Sequence, residues 1–207
     1  MLRENLTVAQ RLNVICGTLF LFLAAGALTA SAAERVLTLD PQKTEVRFTL
    51  GATLHTVHGT LRLAEGRVQV DDQTGSVSGR VVVDARSGDT GNESRDRKMH
   101  EEVLRSASFP EIVLTLDRVE GALVSDGATD LTLVGRLRLL GAEHAVRIPA
   151  RIEIAGDRVR THFELEVPYV AWGLKDPSVF LLRVEQVVRV AVEATGALSD
   201  PDLSSGG

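Results

Sequence analysis

Residues 90–110 read TGNESRDRKMHEEVLRSASFP, a polar segment set in a chain that otherwise alternates between apolar and polar positions. Asn92 or Ser94 can cap the start of a helix here, since short polar side chains accept hydrogen bonds from the first backbone amides. Oppositely charged residues then recur at i,i+4 spacing: Glu93–Arg97, Arg97–Glu101 and Lys98–Glu102. The remaining apolar residues form one narrow edge: Met99, Val103 and Leu104. The pattern predicts one short α-helix over residues 93–104.

On both sides of this segment, apolar residues stand at every second position, as in Val46, Phe48 and Leu50. A period of two puts one face of a strand in the core and the other in water, which is typical of antiparallel sheets. Turn signals such as Gly156-Asp157 separate about eight such runs. We therefore predict an all-β fold, an eight-stranded antiparallel barrel with the one short α-helix across a mouth.

Arg95 and Asp96 stand in the middle of the predicted helix. Neighbouring residues on a helix do not face the same way, so one of the two can turn inward while the other stays outside. We favour a structural cap role, in which Arg95 or Asp96 pairs with a strand residue and fixes the helix over the barrel. The alternative is direct contact with the head group of a ligand.

The first 32 residues are predicted to be a signal peptide. Arg3 and Arg11 precede an uncharged apolar run, and Ala30-Ser31-Ala32 gives a small-x-small cleavage pattern, so the mature chain should begin near Ala33. Residues 12–33 are also long enough to serve as an uncleaved membrane anchor. Residues 33–198 would then form one barrel domain, with 199–207 as a disordered polar tail. A cleaved leader predicts a periplasmic or secreted protein.

Composition limits the classes of function. The whole chain has 23 basic and 28 acidic residues, and cleavage of the leader would remove Arg3, Arg11 and Glu4. The mature chain would then have 21 basic and 27 acidic residues and a net charge of −6. An acidic chain with few aromatic rings lacks the basic surface and stacking platforms that nucleic acids require. Cys16 is the only cysteine and lies in the leader, so no disulfide can hold the mature domain. Its stability must come from a packed core.

Residue patterns for catalysis or metal binding are weak. His55 and His58 are three apart, so on a strand they point to opposite faces, and His100 does not complete a ligand set with them. We interpret these histidines as rim or hydrogen-bonding residues. The chain has no G-x-S-x-G, P-loop or dinucleotide fingerprint. We therefore predict a protein that is not an enzyme and has neither metal nor cofactor.

Residues 167–182 hold the only Tyr and Trp of the chain, Tyr169 and Trp172, in an irregular segment between strands. Large amphipathic rings beside a barrel mouth suit a lid over an apolar cavity. The alternative is that Trp172 plugs the end of the barrel as part of its core.

The segment T-G-N-x-x-R-D-x-x-M-H from Thr90 to His100, followed by Phe109-Pro110, resembles the YceI family of lipocalin-like, polyisoprenoid-binding proteins. The resemblance begins at Leu39-Asp40-Pro41 and covers nearly the whole mature chain. It implies an exported eight-stranded lipocalin-like barrel whose apolar tunnel holds an isoprenoid or similar lipid. Residues 41–44 read PQKT where P-x-H-S is frequent in the family, so the head group of the ligand stays open.

Strand parity, together with position beside the helix and loop, predicts the tunnel lining. The expected lipid-binding residues are Phe48, Leu50, Val57, Met99, Phe109, Leu114, Leu133 and Trp172. Small or flexible inward residues that could keep the tunnel open are Gly59, Gly135, Ala150 and Met99.

The expected ligand is a polyisoprenoid or another long-chain lipid, for example the tail of a quinone, held for transport, storage or envelope stress response. The rival hypothesis is a non-enzymatic envelope scaffold with a filled core. The sequence leaves two kinds of partner open. One is transient contact with a membrane or with membrane proteins, and the other is a second copy of the chain in a homodimer.

Overall fold

The computed structural model describes residues 34–53, 55–71, 74–178 and 183–200. The predicted leader (1–32) and all but the first two residues of the predicted tail (199–207) lie outside the described residues. Ser199, expected at the start of that tail, is the last residue of a strand and is in register with Val36. Among the described residues no helix is long and apolar enough to cross a membrane.

Within these described ranges, nine strand segments form one antiparallel sheet. They are β1 (Glu34–Leu39), β2 (Glu45–Gly51), β3 (Thr56–Asp71), β4 (Val77–Asp89), β5 (Glu111–Glu120), β6 (Gly127–Leu139), β7 (Ala142–Ala155), β8 (Arg158–Val167) and β9 (Val188–Ser199). Each strand from β3 to β8 pairs with the strand that follows it in sequence. A helical segment lies between β4 and β5 along the chain, and a long loop lies between β8 and β9.

β1 and β2 occupy a single position in the barrel. Both pair with β3 on one side and β9 on the other, β1 near the end of β9 and β2 near its start. A turn at residues 40–44 interrupts this position, and the Thr44 hydroxyl donates to the Asp40 carbonyl there. The nine segments therefore fill eight positions, and the predicted eight-stranded antiparallel barrel with one short helix is confirmed.

The helix is shorter than predicted. α1 covers Glu93–Lys98, with Asn92 Oδ1 accepting from the Arg95 amide as its N-cap, and it continues as a π-helical turn over Met99–Val103. In this turn the Leu104 amide donates to the Met99 carbonyl, five residues back. Two residues after this wider turn, Arg105 has a left-handed φ of 48°.

The outward face of the barrel is charged and solvated, as the alternation predicts. Cross-strand ion pairs run along it, such as Arg80–Glu111 and Arg147–Glu120. Two arginines, Arg147 and Arg118, lower the pKa of Glu120 to about 2. These groups are exposed, so each pair contributes little to stability.

Two inward glycines allow neighbouring groups to come close. Phe48 lies opposite Gly59, and a Cβ at Gly59 would be 2.2 Å from the Phe48 ring. A Cβ at Gly135 would be 2.0 Å from the Thr115 carbonyl oxygen. The expectation that Gly59 and Gly135 leave open space in the interior is wrong, because the Phe48 ring and the neighbouring strand occupy it.

Candidate functional site

The barrel encloses a cavity of about 600 Å³. Valine, leucine and isoleucine side chains from all nine strand segments make up most of its wall. A cavity of this size and character is in the range that holds a small or chain-like apolar ligand.

Six of the eight residues expected to line the tunnel are on this wall. They are Phe48, Leu50, Val57, Met99, Leu114 and Leu133. The five strand residues among them follow from period-two parity alone. Met99 arrives with the π-helical turn, which also brings Val103 and Leu104 to the cavity. The narrow apolar edge predicted for the helix therefore faces the cavity.

Phe109 and Trp172 are not on the cavity wall, which corrects their predicted placement. Phe109 is half-buried, and its ring lies 5.3 Å from the guanidinium carbon of Arg105. The Trp172 ring stacks on His144 with centroids 4.1 Å apart and planes 2° from parallel. Trp172 is half-buried and packs against the core cluster.

Tyr169 is a wall residue that was not predicted from the sequence. Tyr169 is only 4% exposed and lines the cavity, while its hydroxyl donates to the Glu185 carbonyl at 2.9 Å. Burial and, to a lesser extent, the charge of Asp176 raise the pKa of Tyr169 to about 12. A signal was present, because Tyr169 continues the alternation of Leu165 and Val167 by one more step.

Residues 90–110, called here the cap segment, are tied to the end of β4 through Thr90. The Thr90 amide and hydroxyl both donate to Asp96 Oδ1, at 3.0 and 2.5 Å. Arg95 donates from Nε to the Thr90 hydroxyl and from a terminal nitrogen to the Thr90 carbonyl, at 2.7 and 2.9 Å. Both Arg95 and Asp96 thus hold the helix, through one neutral threonine rather than through a buried charge.

A second attachment joins the π-helical turn to β4. One ring nitrogen of His100 is 2.9 Å from the Gly88 carbonyl oxygen, and the other is 3.0 Å from the Ser106 hydroxyl. The absence of a side chain at Gly88 makes room here, since a Cβ would lie 2.8 Å from the terminal methyl of Met99. His100 is therefore a hydrogen-bonding residue of the cap.

Residues 168–187, called here the aromatic loop, join β8 to β9; positions 179–182 lie outside the described residues. The Glu185 amide donates to the Gly51 carbonyl at 2.8 Å, and the Thr53 amide donates to the Arg183 carbonyl at 2.9 Å. Lys175 forms a salt bridge of 2.5 Å with Glu102 of the cap segment. The predicted Lys98–Glu102 pair is not among the salt bridges of the described residues, because Glu102 pairs with Lys175.

The cavity reaches the surface at the cap. Among the described residues that line it, the exposed ones are His55, Asn92 and Ser94. All three lie at the end of the barrel where β2 and β4 finish, and there Thr90, Arg95 and Lys98 also line the cavity. No aspartate or glutamate is among the described lining residues. This end is the mouth.

The histidines do not come together in the described structure. His55 is on the mouth, His58 is 3.2 Å from the Thr49 hydroxyl, and His100 bonds to Gly88 and Ser106. Within the described ranges, no group of three or more His, Cys, Asp or Glu side chains could hold a metal ion.

An eight-stranded antiparallel barrel with an enclosed apolar cavity and a helical cap defines the class of this protein. The sequence model for the YceI-like domain matches residues 37–196, so the chain belongs to the YceI-like family. No curated protein matches the chain.

Solved structures share the fold. BcnA from Burkholderia cenocepacia superposes with a TM-score of 0.65 at 16% identity, over 76% of this chain and 98% of that one. A polyisoprenoid binding domain from Saccharophagus degradans, implicated in plant cell wall breakdown, gives 0.63 at 15% identity, over 81% and 99%. The YceI protein of Campylobacter jejuni gives 0.59 at 12% identity, over 70% and 86%.

Proposed function

We propose that this protein binds a polyisoprenoid or a similar long apolar chain in the barrel cavity, as an exported carrier for transport, storage or envelope stress response. The tail of an isoprenoid quinone is one ligand of this kind. The observation that carries the proposal is the cavity of about 600 Å³ with its largely aliphatic wall. The Saccharophagus degradans domain with this fold is a polyisoprenoid binding domain, which supports the same ligand class.

The physics of the wall favours a chain over a polar ligand. Each CH₂ group that moves from water to an apolar site gains about 0.8 kcal/mol, and a polyisoprenoid presents many such groups in a row. A polar ligand would instead lose hydrogen bonds to water that this wall does not replace. The groups able to replace them are concentrated at the mouth, where Asn92 and Ser94 are exposed.

The cavity also favours a carrier over the rival hypothesis of a filled-core scaffold. Protein cores are normally packed without voids larger than a water molecule, so a large apolar space requires an occupant or costs stability. We propose binding without catalysis, since the described lining residues supply no nucleophile–base pair. Contact with a membrane and a homodimer stay predictions.

Export follows from the predicted leader and belongs to the proposal. Intact-mass measurement of the protein from its native envelope should show a chain that begins near Ala33, in a periplasmic or secreted fraction. Full-length protein recovered only with membranes would establish an anchored domain instead.

Mass spectrometry tests the ligand class directly. Protein purified from its native source under mild conditions should release an apolar chain into an organic solvent extract. Added isoprenoid quinone or isoprenoid alcohol should raise the melting temperature of the stripped protein, because a ligand that binds only the native state stabilises it. If no apolar chain is released and added isoprenoids do not raise the melting temperature, the proposed carrier function is wrong.

A matched pair of substitutions separates a carrier from a filled core. Val57 lines the cavity, whereas Val146 is 6% exposed in the core and does not line it. Val146→Phe should cost about 1–3 kcal/mol through overpacking, and Val57→Phe should cost under about 1 kcal/mol while reducing the lipid bound. Equal destabilisation by both, with no change in bound lipid, would favour the scaffold.

A further inference from the structure

The cavity runs along the barrel from the mouth to the opposite end. On β3 both Val57, near the start of the strand, and Val70, near its end, line the cavity. Among the described lining residues the exposed ones are all at the mouth, and those at the opposite end are buried or half-buried. This closed end is called here the floor, and it is lined by Arg35, Val70, Val77, Leu123 and Leu198. A ligand that enters through the mouth meets the floor last.

Leu123 and Arg35 reach the floor from opposite sides of the barrel. Leu123 is in the connection between β5 and β6, where the Thr129 hydroxyl donates to the Ala122 carbonyl at 3.0 Å and so holds this connection in place. Arg35 is on β1, which pairs with β3 on one side and β9 on the other. The strand order puts this position across the barrel from the connection between β5 and β6.

Arg35 occupies an inward position of β1. Arg35, Leu37 and Leu39 alternate along the strand and all line the cavity, and Arg35 is in register with Val70 of β3. Among the described lining residues, Arg35 is the one that carries a charged side chain away from the mouth. The stem of an arginine can cover apolar surface while its guanidinium stays near water, and the half-buried Arg35 fits this arrangement at the end of a barrel.

We propose that the Arg35 side chain closes the floor and sets the longest apolar chain that the cavity holds. The proposal rests on the proposed function and deepens it, because it adds a residue that determines the chain-length specificity of the ligand site. The stem of Arg35 takes up space at the floor. Its guanidinium also makes further extension of the ligand unfavourable, because a charged group that lost its water to an apolar chain would cost free energy.

A limit on chain length can be measured when the ligand comes from an apolar source such as a lipid vesicle. In the vesicle every isoprene unit is already surrounded by hydrocarbon, so its transfer to the aliphatic cavity changes the free energy little. A unit that does not fit into the cavity is left in water at the mouth and loses the free energy of burial. Uptake should therefore fall with each unit beyond the limit that the floor sets.

The experiment offers the stripped protein a mixture of neutral polyprenols that differ only in the number of isoprene units, from farnesol through geranylgeraniol to solanesol. The mixture is supplied in phosphatidylcholine vesicles, the protein is separated from them, and mass spectrometry of its extract gives the relative uptake of each length. Arg35→Ala shortens the side chain at the floor, whereas Arg35→Lys keeps a long charged one. Arg158→Ala is the matched control, because Arg158 is exposed at the same end of the barrel and does not line the cavity.

Val70→Phe tests the floor by the opposite change. Val70 lines the cavity in register with Arg35, so a larger ring there should reduce the space for the end of the ligand. The melting temperature of each variant reports whether it folds. This second variant decides the question if Arg35→Ala does not fold.

The wild-type protein should favour one chain length and take up the longest polyprenol at least about ten-fold less, since a few CH₂ groups left in water already correspond to that factor. Arg35→Ala should move the favoured length to longer chains, and Val70→Phe should move it to shorter ones. Arg35→Lys and Arg158→Ala should keep the wild-type profile. A merely structural role of Arg35 would instead reduce the uptake of all lengths by the same factor.

Four outcomes overturn the proposal. An unchanged length profile in folded Arg35→Ala would leave the carrier function standing and remove Arg35 as its limit. If Arg35→Ala does not fold, an unchanged profile in Val70→Phe has the same meaning for the floor. An equal shift in Arg35→Ala and Arg158→Ala would reduce the effect to a change of charge at this end of the barrel. Absence of uptake of every polyprenol by the wild-type protein would remove the carrier function and this inference together.

Discussion

The cap segment and the aromatic loop both lie at the mouth end of the barrel, but they are held in different ways. The cap segment is fixed by bonds within itself or to the strand just before it, through Thr90, Arg95, Asp96 and His100. The aromatic loop has internal bonds such as Tyr169–Glu185, but it also depends on partners far away in the chain, such as His144 for Trp172. Bonds between residues that are close in the chain can be predicted from a sequence motif, whereas contacts between residues far apart in the chain cannot.

The largest expected effect concerns the aromatic loop. Tyr169→Ala removes a side chain that is 4% exposed together with its bond to Glu185, and it should cost about 3–5 kcal/mol. Tyr169→Phe keeps the ring and should cost only about 1 kcal/mol. Urea denaturation measures both. If Tyr169→Ala costs no more than Tyr169→Phe, the loop is not anchored by this ring.

The pKa of Tyr169 gives a second test of the burial of its hydroxyl. Its pKa in the folded protein is about 12 against an ordinary 10, so the folded state disfavours the phenolate. This contribution to stability is complete below pH 10 and is lost as the pH rises towards 12. Because Tyr169 is the only tyrosine, absorbance titration reports it alone. A titration near 10 in the native protein would contradict burial of the hydroxyl.

Asp96→Asn tests the anchoring of the cap segment. The carboxylate accepts two bonds from Thr90 in a half-buried site, so its loss should cost about 1–3 kcal/mol and reduce lipid retention at the same time. Asp117→Asn is the control, because its pair with Arg136 is exposed and should change stability by under about 1 kcal/mol. An Asp96→Asn protein that melts normally but loses a catalytic turnover would overturn both the cap role and the proposal of a binding protein.

Trp172→Leu should have a smaller effect. The stacking of Trp172 on His144 contributes about 0.5–1.5 kcal/mol beyond the area it buries. Since Trp172 does not line the cavity, its fluorescence should change little when a ligand binds. Strong quenching by an added isoprenoid would instead place Trp172 on the cavity wall. The Trp172 ring would then line the cavity, as Met99 of the cap segment does.

The sequence was sufficient to predict strand residues that line the cavity. Period-two parity placed Phe48, Leu50 and Leu133 on the inside because each strand has one dry face. It could not show that β1 and β2 share one position, since that depends on which strands they meet.

The mouth was only partly predictable. Asn92 as N-cap follows from local helix rules. Arg95 or Asp96 was expected to pair with a strand residue, whereas both bond to Thr90, which directly follows β4. Trp172 was misplaced because its partner His144 is on a distant hairpin. Lys98 was expected to pair with Glu102 on the outer face, and nothing local revealed that Lys175 would take that partner.

The smallest effect concerns the salt bridge between Glu102 of the cap segment and Lys175 of the aromatic loop. A hydrogen bond from Lys175, and then the charges of Lys175 and Lys98, hold the pKa of Glu102 below its ordinary 4.5. A lowered carboxylate pKa means that the contribution of the pair is present above pH 4.5 and is lost as the pH falls through the lower folded value. Lys175→Gln should therefore raise the pKa of Glu102, as measured by NMR titration of its carboxyl carbon, with no detectable change in melting.

Lys43→Gln is the control for this measurement, because Lys43 pairs with Asp40 and should leave Glu102 unchanged. If Lys175→Gln leaves the pKa of Glu102 unchanged, the salt bridge does not form in solution, and the cap segment and the aromatic loop are held independently of each other.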